Sequence, residues 1–240
     1  MNSKLTKEYT VPLSACDNTS GISFAGIVDL FMDMATQHAK ELNVGGDKLK
    51  EKNMFWVASK TMVKVHRSPV MHDGVVVSTW PEKPQNIRCN RFYTIEKQGD
   101  ILVEGKNEWS VLSTDNMRPQ KVSNIYPEDF VHLEDTVCDV SFSRPDMDFT
   151  ESEEILRYRI TSGDIDLSQH MNNVAYIRAF FSAFSCKEIE EMDLTFLEII
   201  YRIQCFEGEV LSIRKRISED GMELGAVKED GKCAAYLKLK

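Results

Sequence analysis

Tyr158-Arg-Ile-Thr-Ser-Gly-Asp-Ile-Asp-Leu-Ser-Gln-His-Met-Asn-Asn-Val-Ala-Tyr176 joins a short strand-like run to the head of a helical one. Tyr158 and Asp166 recur 149 residues earlier as Tyr9 and Asp17, and each Asp lies shortly before the long helical run of its half. Both halves then show the same order of one strand, one long helix and several antiparallel strands, which indicates an internal repeat. We therefore predict an α+β chain of two units side by side, each a curved antiparallel sheet around a long central helix.

The first half contains one predicted helix followed by predicted strands. Apolar residues recur at three- and four-residue spacing over residues 22–42, as in an amphipathic helix, and a glycine-rich turn at 43–47 ends it. Residues 97–100 separate two alternating runs and predict a hairpin turn. The strands are predicted at residues 55–57, 62–65, 74–80, 91–95 and 101–111.

The second half repeats this pattern after a proline-punctuated segment. A short strand at 156–160 precedes a helix whose apolar stripe is Val174, Ile177, Phe181 and Phe184. Further strands are predicted at residues 197–205, 210–217, 223–228 and 233–239. These patterns divide the chain into a first domain over residues 1–115, a linker over 116–153 and a second domain over 154–240.

Composition and charge exclude several classes of protein. A net charge of -9 argues against a nucleic-acid binder, and no apolar run approaches the length of a membrane span. The N-terminus lacks the apolar core of a signal peptide, so we expect a cytoplasmic protein without membrane contact. The six cysteines are scattered without a C-x-x-C pair, which favours reduced, mostly buried thiols over a metal site.

The loop before the second helix carries the residues that could do chemistry. Asp166 and Ser168 are preferred helix-capping residues, and capping alone would account for them. Capping does not require His170, however, and the comparable loop of the first half has Gly21 at that position beside Asp17. The combination of Asp and His before a helix therefore favours a catalytic loop.

With this loop and with further motifs in both halves, the sequence resembles the acyl-acyl carrier protein thioesterases of the bacterial type. The most specific match is Asp164-Ile-Asp-Leu-Ser-Gln-His-Met-Asn-Asn173, which looks like the catalytic loop of that family, and Tyr201-Arg-Ile-Gln-Cys205 looks like its second catalytic segment. Further matches in the first half are Phe55-Trp-Val, Ser78-Thr-Trp-Pro81, Arg88-Cys-Asn-Arg-Phe92, Asn107-Glu-Trp-Ser-Val111 and Met117-Arg-Pro119.

The resemblance implies two tandem hotdog domains, with acyl-chain binding in the first and catalysis by Asp166 and His170 in the second. Two positions depart from the plant enzymes, because Ser168 replaces an Asn and Gln204 replaces a Glu. Cys205 matches a family cysteine once proposed as a nucleophile, a role that we do not expect here.

These residues suit thioester hydrolysis without a metal or another cofactor. Asp166 could activate water as a general base or attack directly to form an anhydride. N–H groups at the helix start near Asn172 could stabilise the oxyanion. His170 could bond the thioester carbonyl or orient Asp166, and Ser168 and Gln204 could position water.

The sequence thus predicts a hydrolase that releases fatty acid from acyl carrier protein and ends chain elongation. An acyl-coenzyme A thioesterase, a non-catalytic acyl-binding protein and a hotdog-type dehydratase are the alternatives, and the chain could act as a monomeric pseudo-dimer or a homodimer. Because carrier proteins are acidic, the docking surface is sought among basic residues. The candidates are Lys60, Lys64, Arg88, Arg91, Arg178, Arg202, Arg214, Lys215 and Arg216.

Overall fold

The computed structural model of the chain, which describes residues 3–240, divides between Val140 and Ser141 into two units. Helix α1 (Phe24–Glu41) confirms the helix predicted in the first half. Its Phe31 stacks on Tyr93 of the sheet, with ring centroids 4.4 Å apart. The apolar stripe of α1 is therefore buried against one face of the sheet of the first unit.

The first unit is built on an antiparallel sheet with the strand order β1-β3-β4-β5-β2, and the short β6 pairs with β5. The hairpin predicted at residues 97–100 is confirmed, because Gln98 and Gly99 both adopt positive φ in the turn that joins β4 to β5. The elements are β1 (Leu5–Thr10), α2 (Gly46–Lys50), β2 (Met54–Val65), β3 (Gly74–Pro81), β4 (Cys89–Lys97), β5 (Asp100–Ser113) and β6 (Pro119–Gln120).

The second unit repeats this topology with the strand order β7-β9-β10-β11-β8, again antiparallel throughout. Its main helix, α3, packs against β10 and β11. The predicted repeat and the α+β class are thereby confirmed. The elements are β7 (Glu153–Arg159), α3 (Asn173–Phe181), α4 (Cys186–Met192), β8 (Phe196–Tyr201), β9 (Val210–Ser218), β10 (Gly221–Val227) and β11 (Cys233–Leu239).

Two predicted elements of the second half end earlier than expected. Helix α3 stops at Phe181, so that Phe184 lies outside it and α3 is half as long as α1, with 9 residues against 18. Strand β8 stops at Tyr201 because the N–H groups of Arg202 and Ile203 both donate to the carbonyl of Ala234, which breaks the ladder. Residues 202–205 are consequently irregular.

The segment predicted as a linker, residues 116–153, is divided between the units and is packed in both. Tyr126 and Phe130 stack on each other and join the core of the first unit together with Val122 and Ile125. In the second unit Phe149 is buried in a core cluster with Tyr236. Prolines interrupt the apolar spacing of this segment, so no periodic pattern in the sequence predicted that it is buried.

Candidate active site

The loop that carries Asp166 and His170 is a tight hairpin at the head of α3. Ile165 and Met171 form an antiparallel bridge, and the Asp166 N–H donates to the His170 carbonyl at 3.2 Å. The Gln169 N–H donates to the Asp166 carbonyl at 3.0 Å, and Gln169 adopts a φ of 63°. The backbones of Asp166 and His170 are thus paired across the base of one turn.

The carboxylate of Asp166 is held by its own loop. Its Oδ1 accepts from the N–H of Ser168 at 2.7 Å, a contact that orients the carboxylate relative to the backbone. Asp166 is half-buried, whereas the Ser168 side chain is exposed beside it. One carboxylate oxygen is therefore used for positioning, and the group remains within reach of water.

The ring of His170 is half-buried and oriented by the main chain. Its Nδ1 lies 3.3 Å from the Met171 carbonyl. Because a carbonyl can only accept, this contact requires the proton on Nδ1 and leaves Nε2 as the basic nitrogen of the neutral ring. His170 can therefore take up a proton at Nε2 and donate it from the same atom.

The start of α3 offers backbone donors next to this pair. The Asn172 side chain caps the helix by accepting from the Val174 N–H at 2.7 Å. The first intrahelical acceptor, the Asn172 carbonyl, is used by the N–H of Tyr176. Helix geometry gives the N–H groups of Asn173 and Ala175 no intrahelical acceptor, so they are suited to binding an oxyanion.

Asp164, the other acidic residue of the motif, stabilises the structure of the loop. Its carboxylate is buried and accepts from the Tyr158 hydroxyl at 2.7 Å and from both the N–H and the hydroxyl of Thr161. Burial is the main cause, and this bond to Asp164 the next, of a rise in the pKa of Tyr158 to about 12. Asp164 thus anchors the base of the loop.

The second segment, residues 201–205, is tied to the loop through its backbone. The Met171 N–H donates to the Cys205 carbonyl at 2.8 Å, and the Gln204 carbonyl accepts from Lys228 Nζ at 3.4 Å. The Gln204 side chain is exposed. The Cys205 side chain is fully buried, and burial raises the pKa of its thiol. A protonated, enclosed thiol is a poor nucleophile.

The first unit contains the same loop on the same backbone. Cys16 and Ile22 form the equivalent bridge, the Asp17 N–H donates to the Gly21 carbonyl at 2.9 Å, and Ser20 adopts a φ of 69°. The second-segment contact is repeated as well, because the Ile22 N–H donates to the Pro69 carbonyl at 2.8 Å. The two loops therefore differ in side chains rather than in backbone.

This equivalence places Gln204 opposite His170. Since Pro69 corresponds to Cys205 in this contact, Ser68 corresponds to Gln204, and Gly21 corresponds to His170. A Cβ built on Gly21 would lie only 2.9 Å from Ser68 Oγ, so the two positions face each other at short range. We infer that the side chains at 170 and 204 are neighbours in the second unit.

Two tyrosines that the sequence analysis did not single out also reach the site. The Tyr176 hydroxyl donates to the Ile203 carbonyl at 3.3 Å, and the Tyr201 hydroxyl donates to the Asn173 carbonyl at 3.0 Å. The repeat could have pointed to Tyr176, because the offset of 149 pairs this tyrosine with an aliphatic residue of the first half, Ile27.

Several of the basic residues considered for carrier-protein docking are engaged within the fold. Arg91 is buried and donates to His38 Nδ1 at 3.0 Å. Arg214 donates to three backbone carbonyls of residues 149–152. Arg216 binds two further carbonyls and lies over the ring of Phe149. These three arginines therefore stabilise the fold, and we do not expect them to form the docking surface.

Most of the chain matches two models of one protein family. The family model of the acyl-ACP thioesterase N-terminal domain matches residues 2–130, and that of the acyl-ACP thioesterase C-terminal domain matches residues 147–235. A chloroplastic palmitoyl-acyl carrier protein thioesterase from Cuphea hookeriana is 25% identical over 224 residues, which are 88% of this chain and 53% of that protein. The chain thus spans about half the length of this relative.

Solved structures share the fold at low sequence identity. An acyl-ACP thioesterase from Bacteroides thetaiotaomicron superposes with a TM-score of 0.88 at 18% identity, covering 99% of this chain and 97% of that one. The 12:0-ACP thioesterase from Umbellularia californica superposes with a TM-score of 0.82 at 18% identity, covering 100% and 97%. The predicted tandem hotdog fold is thereby confirmed. None of the helices within residues 3–240 has the length and apolarity that crossing a membrane would require.

Proposed function

Since the chain belongs to the acyl-ACP thioesterase family, we propose that it hydrolyses the thioester of fatty acyl-acyl carrier protein and releases the free fatty acid. The observation that carries this proposal is the loop at the head of α3. It brings Asp166 and His170 together beside helix N–H groups, on a backbone that the first unit repeats without the histidine.

In the proposed reaction Asp166 acts as the general base. Water attacks the thioester carbonyl carbon while a proton passes to the carboxylate, a form of assistance that contributes about 10²–10⁴-fold. The carbonyl oxygen gains negative charge and is bound by the N–H groups of Asn173 and Ala175, each such donor being worth about 10²–10³-fold. Collapse of the adduct breaks the carbon–sulfur bond, and the thiolate leaves with little need of an acid.

The other polar side chains assist this step. His170 Nε2 can take up this proton from the Asp166 carboxyl and pass it to the departing thiolate. The Ser168 and Gln204 side chains are exposed and are suited to holding the attacking water. Asn172 caps the helix and so keeps the oxyanion donors in place. Cys205 contributes its backbone carbonyl rather than its thiol.

The first unit is proposed to bind the acyl chain. Its loop carries Gly21 in place of His170, so it lacks one member of the catalytic pair. Its sheet and α1 enclose an extensive apolar core that includes Ile27 and Phe31. A fatty chain requires an apolar slot, and the apolar side chains of this unit are suited to lining one.

The test is the release of thiol from a series of acyl-acyl carrier proteins of different chain length and from the matching coenzyme A esters. We expect faster release from the carrier protein, and we expect His170→Ala to lower the rate at least tenfold with the fold intact. A preference for coenzyme A would move the assignment to an acyl-CoA thioesterase. No release from either carrier by a folded wild-type protein would contradict the hydrolase and favour a protein that binds acyl groups without cleaving them.

A further inference from the structure

Two tyrosine hydroxyls connect the first turn of α3 to residues 201–205 in opposite directions. Tyr176, on the helix, donates to the Ile203 carbonyl, and Tyr201, at the end of β8, donates to the Asn173 carbonyl. The two rings pack edge to face with centroids 5.7 Å apart. The pair therefore forms a reciprocal clamp, which we define as Tyr176 and Tyr201.

The fold does not need these hydroxyls, as the first unit shows. In both units two consecutive N–H groups donate to one carbonyl at the end of the strand: those of His66 and Arg67 to Leu102, and those of Arg202 and Ile203 to Ala234. This correspondence places an apolar residue, Val65, opposite Tyr201, just as the repeat offset places Ile27 opposite Tyr176. The same backbone thus forms without either hydroxyl. The bond from the Met171 N–H to the Cys205 carbonyl is repeated in the first unit as well, from the Ile22 N–H to the Pro69 carbonyl.

The carbonyls that the clamp holds adjoin groups that the proposed reaction uses. Ile203 directly precedes Gln204, whose position faces His170. Asn173 is the first helical residue, and its N–H is one of the two oxyanion donors. Tyr176 is buried, and burial raises the pKa of its hydroxyl, so the hydroxyl stays protonated and able to donate. A misplacement of about 1 Å at such groups can cost about 10²-fold in rate.

We propose that Tyr176 and Tyr201 are positioning residues that hold Gln204 and the Asn173 N–H in register with Asp166 and His170. This assignment rests on the proposed thioester hydrolysis. It explains why the second unit has hydroxyls at two positions where the first unit has aliphatic side chains on the same backbone.

The test compares Tyr176→Phe, Tyr201→Phe and the double variant with wild type. Each replacement removes one hydroxyl and keeps the ring. The matched control is Tyr236→Phe, because Tyr236 is buried in the same unit and its hydroxyl bonds to Glu223. We expect each clamp variant to lower kcat about tenfold with KM within twofold of wild type, while its melting temperature stays close to that of the control.

The double variant should lose less than the product of the two single losses, since both hydroxyls hold the same segment. The inference is overturned if kcat of the clamp variants matches that of Tyr236→Phe, or if KM rises while kcat stays constant.

A second measurement separates this inference from the proposed function. Amide hydrogen exchange at Met171, whose N–H donates to Cys205, should be faster in the clamp variants than in wild type and unchanged in Tyr236→Phe. If wild type cleaves no thioester, the proposed function fails, and the exchange comparison still decides whether the hydroxyls hold the segment. Unchanged exchange in both clamp variants would overturn the clamp.

Discussion

Residue 170 distinguishes the loop of the second unit from the loop of the first unit, which has the same backbone conformation. In the first unit the equivalent residue is Gly21, and the space that a Cβ would need is already taken by the hydroxyl of Ser68. In the second unit His170 occupies that position with its Nδ1 bound to the Met171 carbonyl. Because the backbone hydrogen bonds agree, the difference in chemistry between the loops resides in these side chains.

The buried thiol of Cys205 is expected to react slowly and to take no part in the reaction. Burial raises the pKa of its thiol, so at pH 8 its thiolate fraction is below that of an ordinary cysteine. We expect a thiol-alkylating reagent to label the exposed Cys186 well before the buried Cys205, as mapped by mass spectrometry. We also expect Cys205→Ala to keep kcat within about twofold. Loss of activity in proportion to the labelling of Cys205 would show that the thiol takes part in the reaction.

The residue-level predictions from sequence depended on local spacing. Asp166 and His170 could be paired from the sequence because they bracket a turn that lies directly before the helix, which begins at Asn173. The role of the Cys205 backbone could not be predicted, because a carbonyl carries no signature in a sequence. The proximity that we infer between Gln204 and His170 depends on how residues 202–205 leave the sheet, which only the hydrogen bonds to Ala234 reveal.

At the scale of elements, the two main helices start alike and end differently. Ser23 and Asn172 cap α1 and α3 through their side chains. Helix α1 then continues to Glu41, whereas α3 stops at Phe181. Periodicity predicted both helices but extended α3 too far, since Phe184 keeps the apolar spacing after the helix has ended. The packing of residues 116–140 was not predicted, because burial there follows from tertiary contact rather than from a periodic pattern.

Gly26, in the first turn of α1, provides the prediction for this scale. A Cβ at this position would lie 2.3 Å from the carbonyl oxygen of Ala15, a backbone atom that cannot move aside alone. Helix propensity by itself would favour alanine by about 1 kcal/mol. We nevertheless expect Gly26→Ala to destabilise the protein by about 1–3 kcal/mol, as overpacking does.

Chemical denaturation measures this effect, with Gly46→Ala as the control. Gly46 begins α2, and a Cβ there would meet nothing within 4 Å. Equal unfolding free energies for the two variants would contradict the close approach of α1 to residue 15.

At the scale of the whole molecule, the chain repeats one architecture and carries the proposed catalytic pair, Asp166 and His170, in one copy only. Both units share a strand order, β1-β3-β4-β5-β2 in the first and β7-β9-β10-β11-β8 in the second. The order of elements could be predicted because turns and apolar runs repeat along the sequence. The boundary between the units could not, because the segment around it is held by side chains from distant strands, including Arg214 and Arg216.

We propose that the loop of the second unit is catalytic and that the equivalent loop of the first unit is not. The most direct test measures kcat for Asp166→Asn and Asp17→Asn on the acyl-acyl carrier protein that wild type cleaves fastest. Both aspartates accept a hydrogen bond from a backbone N–H two residues later, at 2.7 Å from Ser168 and 2.9 Å from Thr19, so both variants disturb the same kind of turn. We predict that Asp166→Asn lowers kcat at least tenfold while Asp17→Asn stays within twofold of wild type. Equal losses in both variants would contradict the claim, because the aspartate would then serve the turn and not the reaction.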